Sequence, residues 1–270
     1  MDFSIYLKIL NDLKLTRTLK KLTLMLQNEP LMDDELVIRV RQAREILGDK
    51  VSIVTVSNGT LLSPTRMDEL FRAGMYNIEI SIDAYNKETY SLVRPGLDFE
   101  RVFRNAHTLI DYRKGKDVII RFLRQKANAA EQNKFLSYWN KYGATVHFDE
   151  MSNRAGAVRK YNELHFNAPI SLYSRVYDII FGSRPCIFGP FERLAVLWDG
   201  RVLVCCQDWR HEVILGNLSK QSLSDIWNGE LTNHYRDLLW HGRFEESKLC
   251  SKCSNRVSFP GKRGALNKFS

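Results

Sequence analysis

The chain has 270 residues, of which 44% are hydrophobic and 26% charged, a balance that fits a folded globular protein and excludes a disordered one. Its net charge of +9 would suit an anionic partner, but the basic residues are scattered and no nucleic-acid-binding motif occurs, so nucleic acid is not an expected partner. No apolar run reaches the roughly 18–20 residues that span a bilayer, and the N-terminus has no signal-peptide pattern; the expectation is a cytoplasmic protein with no membrane partner.

Apolar positions at helical spacing predict a helix over residues 2–14. The short run 22–26 predicts a strand. Residues 32–48 predict a helix with Asp33, Asp34 and Glu35 at its positive end and Gly48 as its stop. Residues 51–60 are β-branched and end in Asn-Gly, a strand entering a loop. Ser63 as N-cap, Pro64 and Gly74 bound the next helix. The cadence continues with a strand over 76–84, a helix over 98–115, a strand over 117–125, a helix over 130–143 and a strand over 145–151. Five strands alternating with helices predict an α/β fold with a parallel sheet and right-handed crossovers. Such folds place their chemistry at the carboxyl ends of the strands.

The pattern changes after Met151. Residues 152–160 have loop composition, and 160–183 are expected to contain a helix. Asp199-Gly200 between apolar runs predicts a β-hairpin over 191–206. Residues 222–242 predict a helix capped by Ser222, and the basic stretch 257–270 predicts a tail. The expected divisions are 1–155, a connecting segment 156–183, a second module 184–256, and the tail.

All five cysteines lie in the last third: Cys186, Cys205, Cys206, Cys250 and Cys253. Thiols in the cytoplasm stay reduced, so this spacing points to metal or redox chemistry rather than disulfides. The C-x-x-C step of Cys250 and Cys253 turns two thiolates toward one centre. Cys186 and either Cys205 or Cys206 could complete four ligands; adjacent strand residues point to opposite faces, so one of that pair is free to pack. Zinc and an iron–sulfur cluster both suit such a set.

The segment CIFGPFERLAVLWDGRVLVC, followed by ILGNLSKQSLSDIWNGE and LCSKC, resembles the SPASM domain. SPASM is an auxiliary iron–sulfur module of many radical S-adenosylmethionine (radical SAM) enzymes, here in its short form. The resemblance implies one auxiliary 4Fe-4S cluster on Cys186, Cys205, Cys250 and Cys253; Asp208 and Trp209 lie just past Cys205 in sequence, where shaping the cluster's surroundings and a structural role are both open. It also implies a partial (β/α) barrel of the radical SAM type over the first 155 residues. LMLQNEPLM resembles the family's Gly-Gly-Glu-Pro segment, with Gln27 and Asn28 in place of the glycines. This implies cofactor contacts from Asn28, Glu29 and Pro30. VSNGTLL implies Asn58, ISIDA implies Ser81 and Asp83 toward the cofactor ribose, and LVRPG implies Arg94 toward the cofactor carboxylate. SNRAG resembles an element that precedes the auxiliary module.

The family's catalytic cluster sits on a C-x-x-x-C-x-x-C loop after the first barrel strand, and these 270 residues contain no such triad. Met1 resembles an internal methionine of the family, so the first strand and the loop are expected upstream. With that loop, the resemblance implies cleavage of S-adenosylmethionine to a 5′-deoxyadenosyl radical that modifies a peptide or small-molecule substrate, with an electron donor protein as a further partner. Without it, the alternative is a non-enzymatic cluster or zinc protein for electron transfer or docking. The 270 residues by themselves, loaded with iron and sulfide without oxygen, are expected to release no 5′-deoxyadenosine above a protein-free control, measured by liquid chromatography with mass detection.

Overall fold

The computed structural model describes residues 1–113, 118–166, 186 and 189–255. The chain divides into two compact units. One holds Phe3–Met151 with Asn162–Phe166; the other holds Ser152–Tyr161 and Asn167–Ser270, with Met1–Asp2.

The first unit is built on a five-stranded parallel sheet: β1 (Lys21–Thr23), β2 (Ser52–Ser57), β3 (Asn77–Ser81), β4 (Ile119–Arg124) and β5 (Thr145–Glu150), paired in chain order. Its helices are α1 (Phe3–Lys14), α2 (Leu36–Leu47), α3 (Pro64–Arg72), α4 (Lys87–Val93), α5 (Phe99–Tyr112) and α6 (Gln132–Lys141). Side chains alternate across a strand, and parallel pairing keeps partners on the same face. One face therefore carries Ile53, Ile78, Ile80, Ile120 and Phe122, all fully buried. Val102 and Leu109 of α5 and Phe135 and Trp139 of α6 are fully buried too, and the Phe122 and Phe135 rings lie 4.7 Å apart. The opposite face carries a chain of charges. Glu79 takes Lys21 at 3.5 Å and Arg121 at 2.5 Å, and Arg121 donates through Nε to Asp149 at 2.8 Å.

Several elements differ from the sequence reading. The strand expected over 22–26 is confined to Lys21–Thr23, although the Leu24 N–H still donates to the Val54 carbonyl. The helix expected from residue 32 starts at Leu36. Asp33 and Glu35 bind the Arg39 guanidinium at 3.0 and 2.9 Å instead of lying within its first turn. The strand expected over 76–84 stops at Ser81, because Asp83 takes φ 62° and breaks the alternation. Asp83 therefore lies just past the strand that Ser81 closes. The sequence reading had no element at α4, which Asn86 caps by accepting the Thr89 N–H at 2.9 Å.

In the second unit, β6 (Ala195–Val196) and β7 (Arg201–Leu203) form the hairpin expected around Asp199-Gly200, where Gly200 takes φ 86°. A third antiparallel strand, β8 (Ile214–Asn217), adds to β7. The helix expected over 222–242 is two: α7 (Leu223–Asn228) and α8 (Glu230–Trp240), separated at Gly229, whose backbone is extended. The tail 257–270 and most of the expected connecting helix lie outside the described residues.

Fully buried Asn128 ties the ends of β3 and β4 together. Its Oδ1 accepts the Gln125 N–H at 2.8 Å, and its Nδ2 donates to the carbonyls of Asp83 and Leu123 at 2.8 and 2.9 Å. Asn128→Ala leaves these backbone groups unpaired and is expected to destabilise the protein by about 3 kcal/mol, read as a lower urea midpoint at unchanged slope.

Candidate functional site

Parallel strands in chain order place their carboxyl ends on one rim. Glu29 lies in the connection after β1, where its carboxylate accepts the Leu31 N–H at 3.1 Å, the Ser57 hydroxyl at 2.7 Å and the Asn58 N–H at 2.8 Å. It joins the start of a short 3-10 turn, Pro30–Met32, to the end of β2. Asn28 accepts the Leu26 N–H at 3.3 Å. Asn58 folds the loop after β2 by accepting the Thr60 N–H at 2.9 Å. Gly59 follows at φ 77°, where an added Cβ would meet Ile80 Cγ2 at 2.9 Å.

Ser81 closes β3, half-buried and in register with Arg121. Asp83 is 1% exposed. Its Oδ1 accepts the Leu123 N–H at 2.7 Å, and its Oδ2 accepts Nε of Arg94 at 2.7 Å. Burial pushes the Asp83 carboxyl upward, while the Arg94 charge and the Leu123 N–H pull it down. The structure thus joins Glu29 directly to Asn58, and Asp83 directly to Arg94.

In the second unit, Cys186, Cys205, Cys250 and Cys253 line one cavity, with Val204, Leu239 and Phe244 among its apolar walls. Its empty space is about 410 Å³, part of it open to solvent. Local folding places each thiol. Cys205 follows β7 in a loop stapled by Asp208, a fully buried residue whose carboxylate accepts the N–H groups of Glu212 and Val213 at 2.9 and 2.8 Å. The C-x-x-C step forms a single 3-10 turn, Cys250–Lys252, in which the Cys253 N–H donates to the Cys250 carbonyl at 3.1 Å. The Cys186 carbonyl accepts the Gly189 N–H at 3.0 Å, and a Cβ on Gly189 would meet Leu239 Cδ1 at 2.5 Å. Asn153 ties the SNRAG segment to the C-x-x-C turn, pairing with Ser254 and with the Lys252 carbonyl at 2.7 Å. Arg154 and Ala155 there take left-handed φ of 49° and 52°, and Ala155 lines the cavity.

All five cysteines are free thiols. Burial pushes the Cys205 thiol far up, and neighbouring Cys206, Cys186 and Cys250 push the same way. Burial likewise pushes Cys250 up to about 11, with Cys186, Cys253 and Asp208 adding to it. Buried thiols such as Cys205 and Cys250 ionise in an apolar cavity only against a bound cation, so four cysteines lining it fit a thiolate-ligated metal group. Cys206 does not line the cavity; its carbonyl meets Arg154 Nη1 at 3.4 Å. Among the described residues, no three His, Cys, Asp or Glu side chains converge on a single ion position.

Residues 186–254 match the SPASM iron–sulfur cluster-binding domain, and residues 6–126 match the radical SAM superfamily. The chain is a radical SAM/SPASM domain protein. Its parallel sheet with flanking helices is a partial barrel of the radical SAM type, followed by the antiparallel module. It is 36% identical over 66 residues to the S-adenosyl-L-methionine-dependent 2-deoxy-scyllo-inosamine dehydrogenase of Niallia circulans, a match covering 24% of this chain and 26% of that protein. It is 24% identical to the tungsten-containing aldehyde ferredoxin oxidoreductase cofactor-modifying protein of Pyrococcus furiosus, over 95% of this chain and 80% of that one. Among solved structures, the fold is similar to BtrN in complex with AdoMet and 2-DOIA, with a TM-score of 0.60 at 19% identity over 94% of this chain and 80% of that one. It is also similar to native anSMEcpe with bound AdoMet, with a TM-score of 0.64 at 15% identity over 93% and 79%.

Three rim residues were not anticipated: Ser57 under Glu29, Asn128, and Glu131, which accepts the Tyr85 N–H at 2.6 Å. Ser57 precedes Asn58-Gly59 and could have been read as part of that turn. Asn128 and Glu131 sit in KANAAE, which carries no local signal. Cys206→Ala is expected to keep iron bound after reconstitution, whereas Cys205→Ala loses most of it, measured as iron and acid-labile sulfide per chain.

Proposed function

We propose that this protein binds one auxiliary 4Fe-4S cluster through Cys186, Cys205, Cys250 and Cys253 and serves radical chemistry on a peptide or small-molecule substrate. Support comes first from the four thiols lining one cavity within the segment that matches the SPASM domain. When bound, such a cluster supplies one-electron transfer. The chain's own part is to hold four thiolates, to surround them with Val204, Leu239 and Phe244, and to fix the loop of Cys205 through Asp208.

The same reading gives the rim of the sheet to S-adenosylmethionine. Asn28, Glu29 and Pro30 shape the backbone after β1, Asn58 the loop after β2, Ser81 faces the ribose, and Arg94 meets the carboxylate. Cleavage to a 5′-deoxyadenosyl radical requires a C-x-x-x-C-x-x-C loop from outside these 270 residues, and an electron donor protein. The radical SAM match over 6–126 supports the cofactor class. Similar structures hold 2-DOIA in one case and a Kp18Cys peptide in another, each together with AdoMet, which supports a small-molecule or peptide substrate here. Five free thiols agree with a cytoplasmic setting, and no helix among the described residues is long and apolar enough to cross a membrane.

Anaerobic reconstitution decides the cluster. A brown protein with about four iron and four sulfide per chain and charge-transfer absorption is expected. A colourless protein that takes up one zinc and no sulfide overturns the reading.

A further inference from the structure

Asp83 and Arg94 are both rim residues, but their exposures differ. The Asp83 side chain is 2% exposed and that of Arg94 is 27%. Both Asp83 oxygens are engaged from within the protein. Oδ1 accepts the Leu123 N–H at 2.7 Å, and Oδ2 accepts Nε and Nη2 of Arg94 at 2.7 and 2.6 Å. A buried carboxylate held in this way is poorly placed to reach a ligand. Its neighbour is better placed: Arg94 Nη1 has no partner among the described residues.

The surroundings over-determine this geometry. Asp83 holds a left-handed φ of 62°, a conformation that persists in a non-glycine residue only when contacts enforce it. The Asp83 carbonyl accepts Asn128 Nδ2 at 2.8 Å. Arg94 caps the C-terminal end of α4, its N–H donating to the Tyr90 carbonyl at 2.7 Å. The other end of α4 is fastened by Glu131, which takes the Tyr85 N–H at 2.6 Å together with the side chains of Asn86 and Thr89. Fully buried Tyr90 anchors the middle, its ring 5.4 Å from that of Phe99. With the backbone of Arg94 held by α4, the Asp83 carboxylate removes the remaining freedom of a long side chain that otherwise pays a rotamer cost on binding.

We propose that Asp83 is a positioning residue: it fixes the Arg94 guanidinium by Nε and Nη2 and so presents Nη1 to the carboxylate of an amino-acid-bearing adenosyl ligand. This rests on the reading of Arg94 as the partner of the S-adenosylmethionine carboxylate. It gives Asp83 a role distinct from contact with the ribose. Asp83 also offsets the guanidinium charge when no ligand is bound.

Titration calorimetry on the full chain tests this with two ligands, S-adenosylmethionine and 5′-methylthioadenosine, which lacks the carboxylate. Asp83→Asn keeps an acceptor for Leu123 and removes the charge facing Arg94. It is expected to weaken S-adenosylmethionine about tenfold and to leave methylthioadenosine unchanged. Arg94→Lys, which cannot make the paired contact, is expected to do the same. In an Arg94→Met background, Asp83→Asn is expected to have no further effect, since its action passes through the arginine. Equal weakening of both ligands by Asp83→Asn, or an undiminished effect in the Arg94→Met background, would mean that Asp83 only supports packing, and the proposal falls. No effect of Asp83→Asn where Arg94→Met does weaken S-adenosylmethionine also overturns it, while the reading of Arg94 stands. Wild-type binding unchanged by Arg94→Met, or no binding of S-adenosylmethionine at all, overturns that reading and the proposal with it.

Discussion

Parallel pairing in chain order is the constraint on which the first unit depends. Neighbouring strands that run the same way must end on the same side, so every loop after a strand opens onto one rim. Glu29, Asn58, Ser81 and Asp83 are separated by up to 54 residues of chain, yet each lies at or just past a strand's carboxyl end. The same pairing keeps Ile53, Ile78, Ile80, Ile120 and Phe122 in one apolar layer and leaves Lys21, Glu79, Arg121 and Asp149 to the opposite face. Burial of the first set stabilises the sheet. The second set is held by mutual ion pairing, which offsets the cost of keeping the Glu79 side chain only 5% exposed.

The second unit rests on a different balance. Its small antiparallel sheet and the described helices α7 and α8 gather four thiols around apolar walls, where burial and neighbouring thiols disfavour the ionised forms of Cys205 and Cys250. Such a cavity gains from a bound cationic group more than a solvated one would, because the metal relieves both costs at once. Asp208 and Asn153 show how much of the unit serves that geometry. One staples the loop that carries Cys205; the other holds the C-x-x-C turn against a left-handed segment.

The rim shows a recurring device, in which polar side chains, buried at Asp83 and Asn128 and half-buried at Glu29, bind backbone groups past the strand ends. Past Ser81 the Ile82 N–H still donates to the Arg121 carbonyl at 3.1 Å, and then the carboxylate of Asp83 and the amide of Asn128 take the backbone groups of Leu123 and Gln125. Glu29 does the same between the turn at Pro30 and the loop at Asn58. These side chains fix the loops that leave the rim, Asp83 and Glu29 through charge-assisted bonds.

Much of this protein was legible in local sequence. The alternation of β-branched runs with amphipathic helices, Pro64 after Ser63, the Asp199-Gly200 turn and the spacing of Cys250 and Cys253 each act within a few residues. Local sterics and hydrogen bonding therefore suffice to specify them. Helix α4 was missed because seven residues carry too short a period to stand out, and its stability comes from Glu131, 38 residues beyond its end. Which of two adjacent thiols turns into the cavity, and which partners a buried carboxylate finds, depended on packing. Cys205 and Cys206 differ only in which way the chain faces as it leaves β7, and Asp83 meets Leu123 only because β3 and β4 lie side by side. The sequence by itself determined the types of element, their order and the supply of thiols, since each is a property of neighbours along the chain. The tertiary structure alone decided orientation and partnership at the sites, since both come from residues that meet only after the sheet has formed.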